Sequence, residues 1–386
     1  MEIELGKGKK VRRAYGFDEI ALVQSIRTID PEDVDTSTEI GGIKITAPII
    51  ASAMDSVVDP TTAALMSQYG GLGVINLQGI QTRYEDADAI LDKIAAASRE
   101  EYVQLMQKIY TEAVKPELLE KRIKQIKAKK GIAAISVTPQ SAEEFGPIVE
   151  KAGADMIVIQ ATVVSTVHKS KNFKSLNLVK FCKSMKIPVV VGNCVTYDVA
   201  ISLMETGVAA ILVGIGPGAA CTSRGVLGIG VPMATSIVDC AAARDAHFKK
   251  SGKYVSVIAD GGMVVSGDIC KAIACGADAV MIGSPLAKAK EAPGRGFHWG
   301  MATPNATLPR GTRIKVGTIG TLKEILLGPA KFDDGSQNFV GAIKTSMGTL
   351  GAETIKEMQK VEIVIAPSLL TEGKVFQKAQ QLGMYK

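Results

Sequence analysis

Short apolar runs recur along the chain at residues 47–52, 71–76, 132–137, 155–160, 188–193, 209–214, 256–261 and 279–284, each long enough for one buried strand. Between them the apolar spacing becomes helical, at 60–69, 142–152, 196–206 and 266–275, and several of these stretches run into Gly-Ala or Gly-Val, as helix C-termini do. Eight strands alternating with helices predict a closed parallel barrel, a single α/β TIM (β/α)8 domain over residues 1–386. The competing architecture, a doubly wound open sheet, wants a GxGxxG turn after its first strand, and none follows 47–52.

Three segments exceed what a barrel needs. Residues 80–130 are charged and helical in pattern, a helical excursion between strands two and three. Residues 214–230 form a glycine-rich loop after strand six, and 291–317, rich in proline and holding the chain's only Trp, read as a long mobile flap after strand eight.

Composition agrees with this picture. Hydrophobic residues make up 46% and aromatics only 5%, so the apolar content is mostly the Ala, Val, Ile and Leu of parallel strands and their helices. The net charge of +6 suits small anions and is too small and dispersed for nucleic acid. Of two basic runs, 7–13 reads as a mobile arm and 121–130 as the wet face of a helix. The six cysteines form no CxxC pair and no zinc-like cluster. The N-terminus lacks the apolar core of a signal peptide and no stretch is long enough to span a bilayer, so a cytoplasmic protein without membrane contact is expected.

Barrel active sites are built from the C-terminal ends of the strands. After strand six the chain reads GIGPGAACTSR, residues 214–224, which presents Cys221 beside Thr222 and Ser223 on a glycine hinge. Core cysteines belong in strands or helices, which fits the other five; Cys221 reads as a nucleophile. Strands seven and eight end in Ala259-Asp260-Gly261-Gly262 and Met281-Ile282-Gly283-Ser284. Those glycine turns, with a helix starting at Ser266, suggest a phosphate cradle, and Asp260 can accept from two vicinal ribose hydroxyls. Ser52 and Asn193 stand at strand ends, where they either hold sugar or base or cap helices.

These motifs resemble the IMP dehydrogenase/GMP reductase family. The likeness runs from GFDEIALVQS at Gly16 through ASAMDSV, GGLGVIN, GPGAACTSR, IADGG, MIGS and EAPG to Gly351-Ala352. The paired CBS modules typical of IMP dehydrogenases would sit near 80–130, where this chain has only helical pattern, so the resemblance is to the branch without CBS domains. It implies Cys221 as covalent nucleophile and Ser223, where the family has Thr, as a hydroxyl for water or substrate. It implies Asp260 on the ribose; Gly262, Gly283 and Ser284 on the phosphate; Ser52 and Met54 on ribose and base; and Gly216 and Asn193 near the substrate. Gly300, Met301 and Ala302 match the backbone that reads the hypoxanthine edge. Gln160, Thr162 and Gly214 match positions near the nicotinamide. K⁺ is implied against the carbonyls of Gly216, Gly218 and Cys221. The chain departs from the family pattern at Ala219, in place of a phosphate-binding Ser; at His298, in place of a phosphate-binding Tyr; and at Gln160, in place of an Asp.

Both family branches share the thioether adduct, so the flap decides direction. The family's dehydrogenases activate water with a flap Arg, and its reductases use a Glu there. In LPRGTR at 308–313, Arg310 stands at that place, with Arg313 a rival. The expectation is NAD-dependent oxidation of IMP to XMP, with GMP reduction by NADPH or a non-catalytic nucleotide-binding regulator as alternatives. Assembly as a homotetramer, with octamers by pairing, is what the resemblance implies.

Overall fold

The computed structural model describes residues 2–171, 174–300, 312–368 and 371–383. Eight parallel strands close into a barrel: β1 Ile49–Ala51, β2 Leu72–Asn76, β3 Ala134–Val137, β4 Met156–Gln160, β5 Val189–Cys194, β6 Ala210–Val213, β7 Ser256–Asp260 and β8 Ala279–Ile282. Each lies within, or one residue beyond, an apolar run of the sequence. Alternation of the pleat splits each strand between two cores. Leu72, Val74, Val158, Val190, Leu212, Ile258 and Met281 fill the barrel interior, while Ile75, Ile157, Val191 and Val257 face the surrounding helices. The hairpin of Thr38–Ile40 and Ile43–Ile45 sends Ile40 and Ile45 into the interior cluster and closes the base, where the Ser256 hydroxyl donates to the Glu39 carbonyl at 3.1 Å.

The helical excursion is shorter than its pattern suggested. Ala87–Ala96 and Tyr102–Ile109 form it, whereas Pro116–Ala128 packs on the Pro60–Gln68 helix as the barrel's own second helix, burying Leu119, Ile123 and Ile126. The basic run at 121–130 is therefore only partly wet. The run at 7–13 is not a free arm: Lys9–Arg12 pairs with Glu2–Gly6 in an antiparallel hairpin, and Arg12 forms an ion pair with Asp239.

The segment after β8 is more fixed at its root than a mobile flap would be. Phe297–Trp299 pairs antiparallel with Arg313–Lys315, and Trp299 is completely buried beside Tyr110, Met106 and Leu91 of the excursion. Its indole N–H donates to the Tyr110 hydroxyl at 3.0 Å, and that hydroxyl donates to the buried Asp55 carboxylate at 2.7 Å. Among the described residues no helix is long and apolar enough to cross a membrane.

Candidate active site

Cys221 is half-buried at the C-terminal mouth of the barrel, and its Sγ lies 3.3 Å from the Ser223 hydroxyl. The loop owes its shape to two devices. Positive φ at Gly216 and at the far hinge Gly228 turns the backbone where a side chain would be strained. Arg224 then laces the loop together, its Nε donating to the Ile215 carbonyl and its terminal amine to the Val231 carbonyl, both at 3.0 Å. Burial pushes the Arg224 pKa down.

The loop leans on the turn after β7. A Cβ at Gly261 would meet Pro217 at 3.2 Å and the Gly218 amide at 3.4 Å, and one at Gly262 would meet Pro217 at 2.9 Å. Cys221 and the predicted phosphate turns thus share one mouth. Around it, the backbone amides of Gly262, Met263, Gly283 and Ser284 donate to no acceptor among the described residues. Four open amides in two adjoining turns suit an anion. At the helix that starts at Ser266, Asp268 takes the amides of Val264 and Val265 and Ser266 donates to the Gly335 carbonyl, while the Gly267 amide donates to no acceptor among the described residues. His298 and Met54 close over Gly283, where a Cβ would meet His298 Cε1 and Met54 Sδ at 3.1 Å. His298 is buried with its Nδ1 2.9 Å from the Ser56 hydroxyl, and burial lowers its pKa to about 4, so the imidazole is neutral at physiological pH.

Asp260 stands between the two halves of the site. Asn193 Nδ2 donates to its Oδ2 at 2.8 Å and Gln160 Nε2 donates to the same oxygen at 2.9 Å. Asn193 also donates to the Gly214 carbonyl at 2.8 Å, so it is not a helix cap. Burial raises the Asp260 pKa to about 6 against the pull of the two amides. The Ser52 hydroxyl at the end of β1 and the half-buried Thr162 hydroxyl after β4 have no partner among the described residues. The glycine at 214 is required, since a Cβ there would meet the Asp260 carbonyl at 2.3 Å.

The structure thus brings Cys221, Ser223, Asp260, Asn193, Gln160, Gly214, Gly216 and the turn glycines to one mouth, with Met54 and His298 over Gly283. Gly300 follows the buried Trp299; Arg310, Met301 and Ala302 lie outside the described residues. Arg313 is committed elsewhere. Its guanidinium donates to the carbonyls of Ile94 and Ala97 and stacks on the rings of Tyr102 and Phe297, at 4.7 and 4.5 Å from their centroids. Sequence reasoning missed the lacing by Arg224 and the open amide of Met263. A lone cation closing a loop without acidic residues was the available signal for the first.

Residues 14–375 match the model of the IMP dehydrogenase / GMP reductase domain. The chain belongs to this family. An uncharacterised oxidoreductase of Mycobacterium tuberculosis is 38% identical over 94% of this chain and 99% of its own length. The inosine-5'-monophosphate dehydrogenase of Methanocaldococcus jannaschii is 26% identical over 93% of this chain and 94% of its own. In three dimensions an IMP dehydrogenase/GMP reductase-like protein from Corynebacterium glutamicum superposes with a TM-score of 0.89 at 38% identity, covering 94% of this chain and 97% of that one. The family is one of oxidoreductases, and the relatives divide between IMP dehydrogenases and oxidoreductases of unassigned reaction.

Proposed function

We propose that this protein oxidises IMP to XMP, the balance being IMP + NAD⁺ + H₂O giving XMP + NADH + H⁺. The observation that carries the reading is Cys221 on its hinge, 3.3 Å from a buried hydroxyl and against the same turn that offers open amides to a phosphate. A nucleotide anchored there by Gly262, Met263, Gly283 and Ser284, with neutral His298 alongside and its ribose on Asp260, brings its base toward the sulfur. The Cys221 thiol adds across the C2=N3 bond of the base, sulfur to C2 and its proton to N3, and C2 then gives up its hydride. NAD⁺, when bound, supplies the acceptor for that hydride. The residues present fit its nicotinamide end: Thr162, after β4, offers an unengaged hydroxyl. Water then replaces sulfur at C2, releasing XMP and the thiol. Arg310 directs that water, and Ser223 is placed to pass its proton. K⁺ would be held by the carbonyls of Gly216, Gly218 and Cys221; Gly218 already accepts the Cys221 amide at 3.0 Å and retains one lone pair.

The test is a pair of assays, IMP with NAD⁺ and GMP with NADPH, each with and without K⁺, followed by nicotinamide absorbance. NADH production from IMP supports the reading. Oxidation of NADPH by GMP alone would instead make the protein a reductase, and binding of IMP without turnover or a Cys221 adduct would make it a regulator.

A further inference from the structure

Asp260 carries an asymmetry that the family likeness does not explain. Its Oδ2 accepts two amide N–H groups, from Asn193 at 2.8 Å and Gln160 at 2.9 Å, while among the described residues no donor reaches Oδ1. The two amides come from neighbouring strands, β5 and β4, and Gln160 Nε2 also leans on Asn193 Oδ1 at 3.4 Å, so the three side chains form one connected network. We propose that Gln160 is a positioning residue for the substrate's ribose: with Asn193 it occupies one oxygen of Asp260 and turns the other, with its lone pairs open, toward two vicinal hydroxyls. This rests on reading the mouth as a purine-nucleotide site, and it moves Gln160 from the cofactor's side to the substrate's.

The chemistry follows from which form of the carboxyl the amides favour. An N–H donor stabilises the anion and opposes its protonation. The groups facing Asp260 are the Gln160 and Asn193 amides from β4 and β5, the Gly214 carbonyl beside them from β6, and the glycine turn of its own strand. The adjacent loop brings Cys221 and Arg224 near the same mouth, but no cation or second carboxylate among the described residues bears on Asp260. With burial already raising its pKa to about 6, loss of the Gln160 donor lets the carboxyl protonate nearer neutrality. A protonated Asp260 presents a donor where the ribose needs acceptors.

The experiment is the pH dependence of IMP binding, by calorimetry without cofactor, for the wild type, Gln160→Met and Gln160→Glu. Methionine matches the shape of glutamine without its amide, and glutamate sets a second carboxyl against Asp260, so the pair must share a proton. The nucleotide's own phosphate titrates identically in every case, so differences between proteins belong to the site. Gln160→Met should shift the acid limb up by about one pH unit, which weakens binding about fivefold more at pH near 6 than at pH near 8.5; Gln160→Glu should shift it further. In turnover, the loss in Gln160→Met should fall more on KM than on kcat. Limbs that stay at the wild-type position, with affinity changed equally at all pH values or not at all, overturn the assignment. Should Gln160→Met fail to fold, Gln160→Glu decides by the same limb. A wild type that binds no IMP even at the alkaline end sinks the reading of the mouth and this inference with it, an outcome distinct from an unmoved limb.

Discussion

Two aspartates on neighbouring strands show how differently the ends of one barrel use charge. Asp260 ends β7 at the mouth; Asp278 precedes β8 at the base. Asp278 is buried and saturated: it accepts from Arg244 at 3.3 Å, the Tyr254 hydroxyl at 2.8 Å, the Val257 amide at 2.8 Å and Gln359 at 3.0 Å, and pairs with Lys356. Burial pushes its pKa up, but Arg244 and Lys356 outweigh that and hold it below the usual carboxylate range. Asp260 has two neutral amides and, among the described residues, no cation, and burial prevails, raising it to about 6. The base uses its carboxylate to tie the helix Met233–Ser251 and the C-terminal turn Ile355–Met358 to the barrel. The mouth leaves its carboxylate short of partners, and that deficit is what a ligand can fill.

The comparison breaks most visibly if mouth residues prove structural, so the largest expected effect is Cys221→Ala. Turnover should fall by a factor on the order of 10⁴ or more, while the midpoint of thermal unfolding stays near wild type and IMP still binds. Substantial NADH production by this variant would remove the covalent step. At the base the opposite split is expected. Asp278→Ala strands the buried guanidinium of Arg244, only 5% exposed, and should cost about 3–5 kcal/mol in denaturant unfolding, with the nucleotide affinity of the folded protein retained. A loss under about 1 kcal/mol would mean that the network rearranges around the gap.

Linkage sharpens the contrast, because the two groups tilt stability in opposite senses. The lowered pKa of Asp278 makes its contribution fully present above the unfolded value of about 3.9 and lost as pH falls through the lower folded value. The raised pKa of Asp260 does the reverse: its contribution is complete below about 3.9 and disappears as pH rises through about 6. Asp260→Asn should therefore stabilise the protein at neutral pH, by about 1–2 kcal/mol once solvent screening at the open mouth is allowed for, while weakening IMP binding. Unfolding at neutral pH and at pH near 4 checks it: the advantage of the variant should shrink on acidification. An Asp260→Asn protein less stable than wild type at neutral pH would show that this carboxylate is held as firmly as Asp278.

The barrel was legible because parallel strands buried on both faces leave unbroken apolar runs, and all eight were readable at 47–52 through 279–284. Cys221 and Asp260 were legible because glycines at strand ends mark turns. The partition of 80–130 was not, since the helix Pro116–Ala128 shares the charged, amphipathic pattern of the excursion, and only its packing on Pro60–Gln68 assigns it to the barrel. Nor could spacing show that Gln160 meets Asp260, a pairing made by barrel closure across 100 positions. The engagement of the amides at the Ser266 helix by Asp268 was hidden for a related reason. An acidic residue in a first helical turn is compatible with either a cap or an open anion site.

Arg313 offers the smallest effect and the finest test of the contrast, because it lies on the flap's side of the barrel yet has the saturated surroundings of the base. Its fork reaches the carbonyls of Ile94 and Ala97 at the end of the excursion's first helix, and its plane lies over Tyr102 and Phe297. Lysine keeps the charge but offers a point donor in place of the fork and no planar face for the rings. Arg313→Lys should therefore cost about 1 kcal/mol of stability. Hydrolysis of the Cys221 adduct should continue at close to the wild-type rate, whereas Arg310→Lys should let that adduct accumulate. Single-turnover experiments that trap the adduct separate the two arginines: accumulation in the Arg313 variant would assign it to water activation and take it out of the structural half of the molecule.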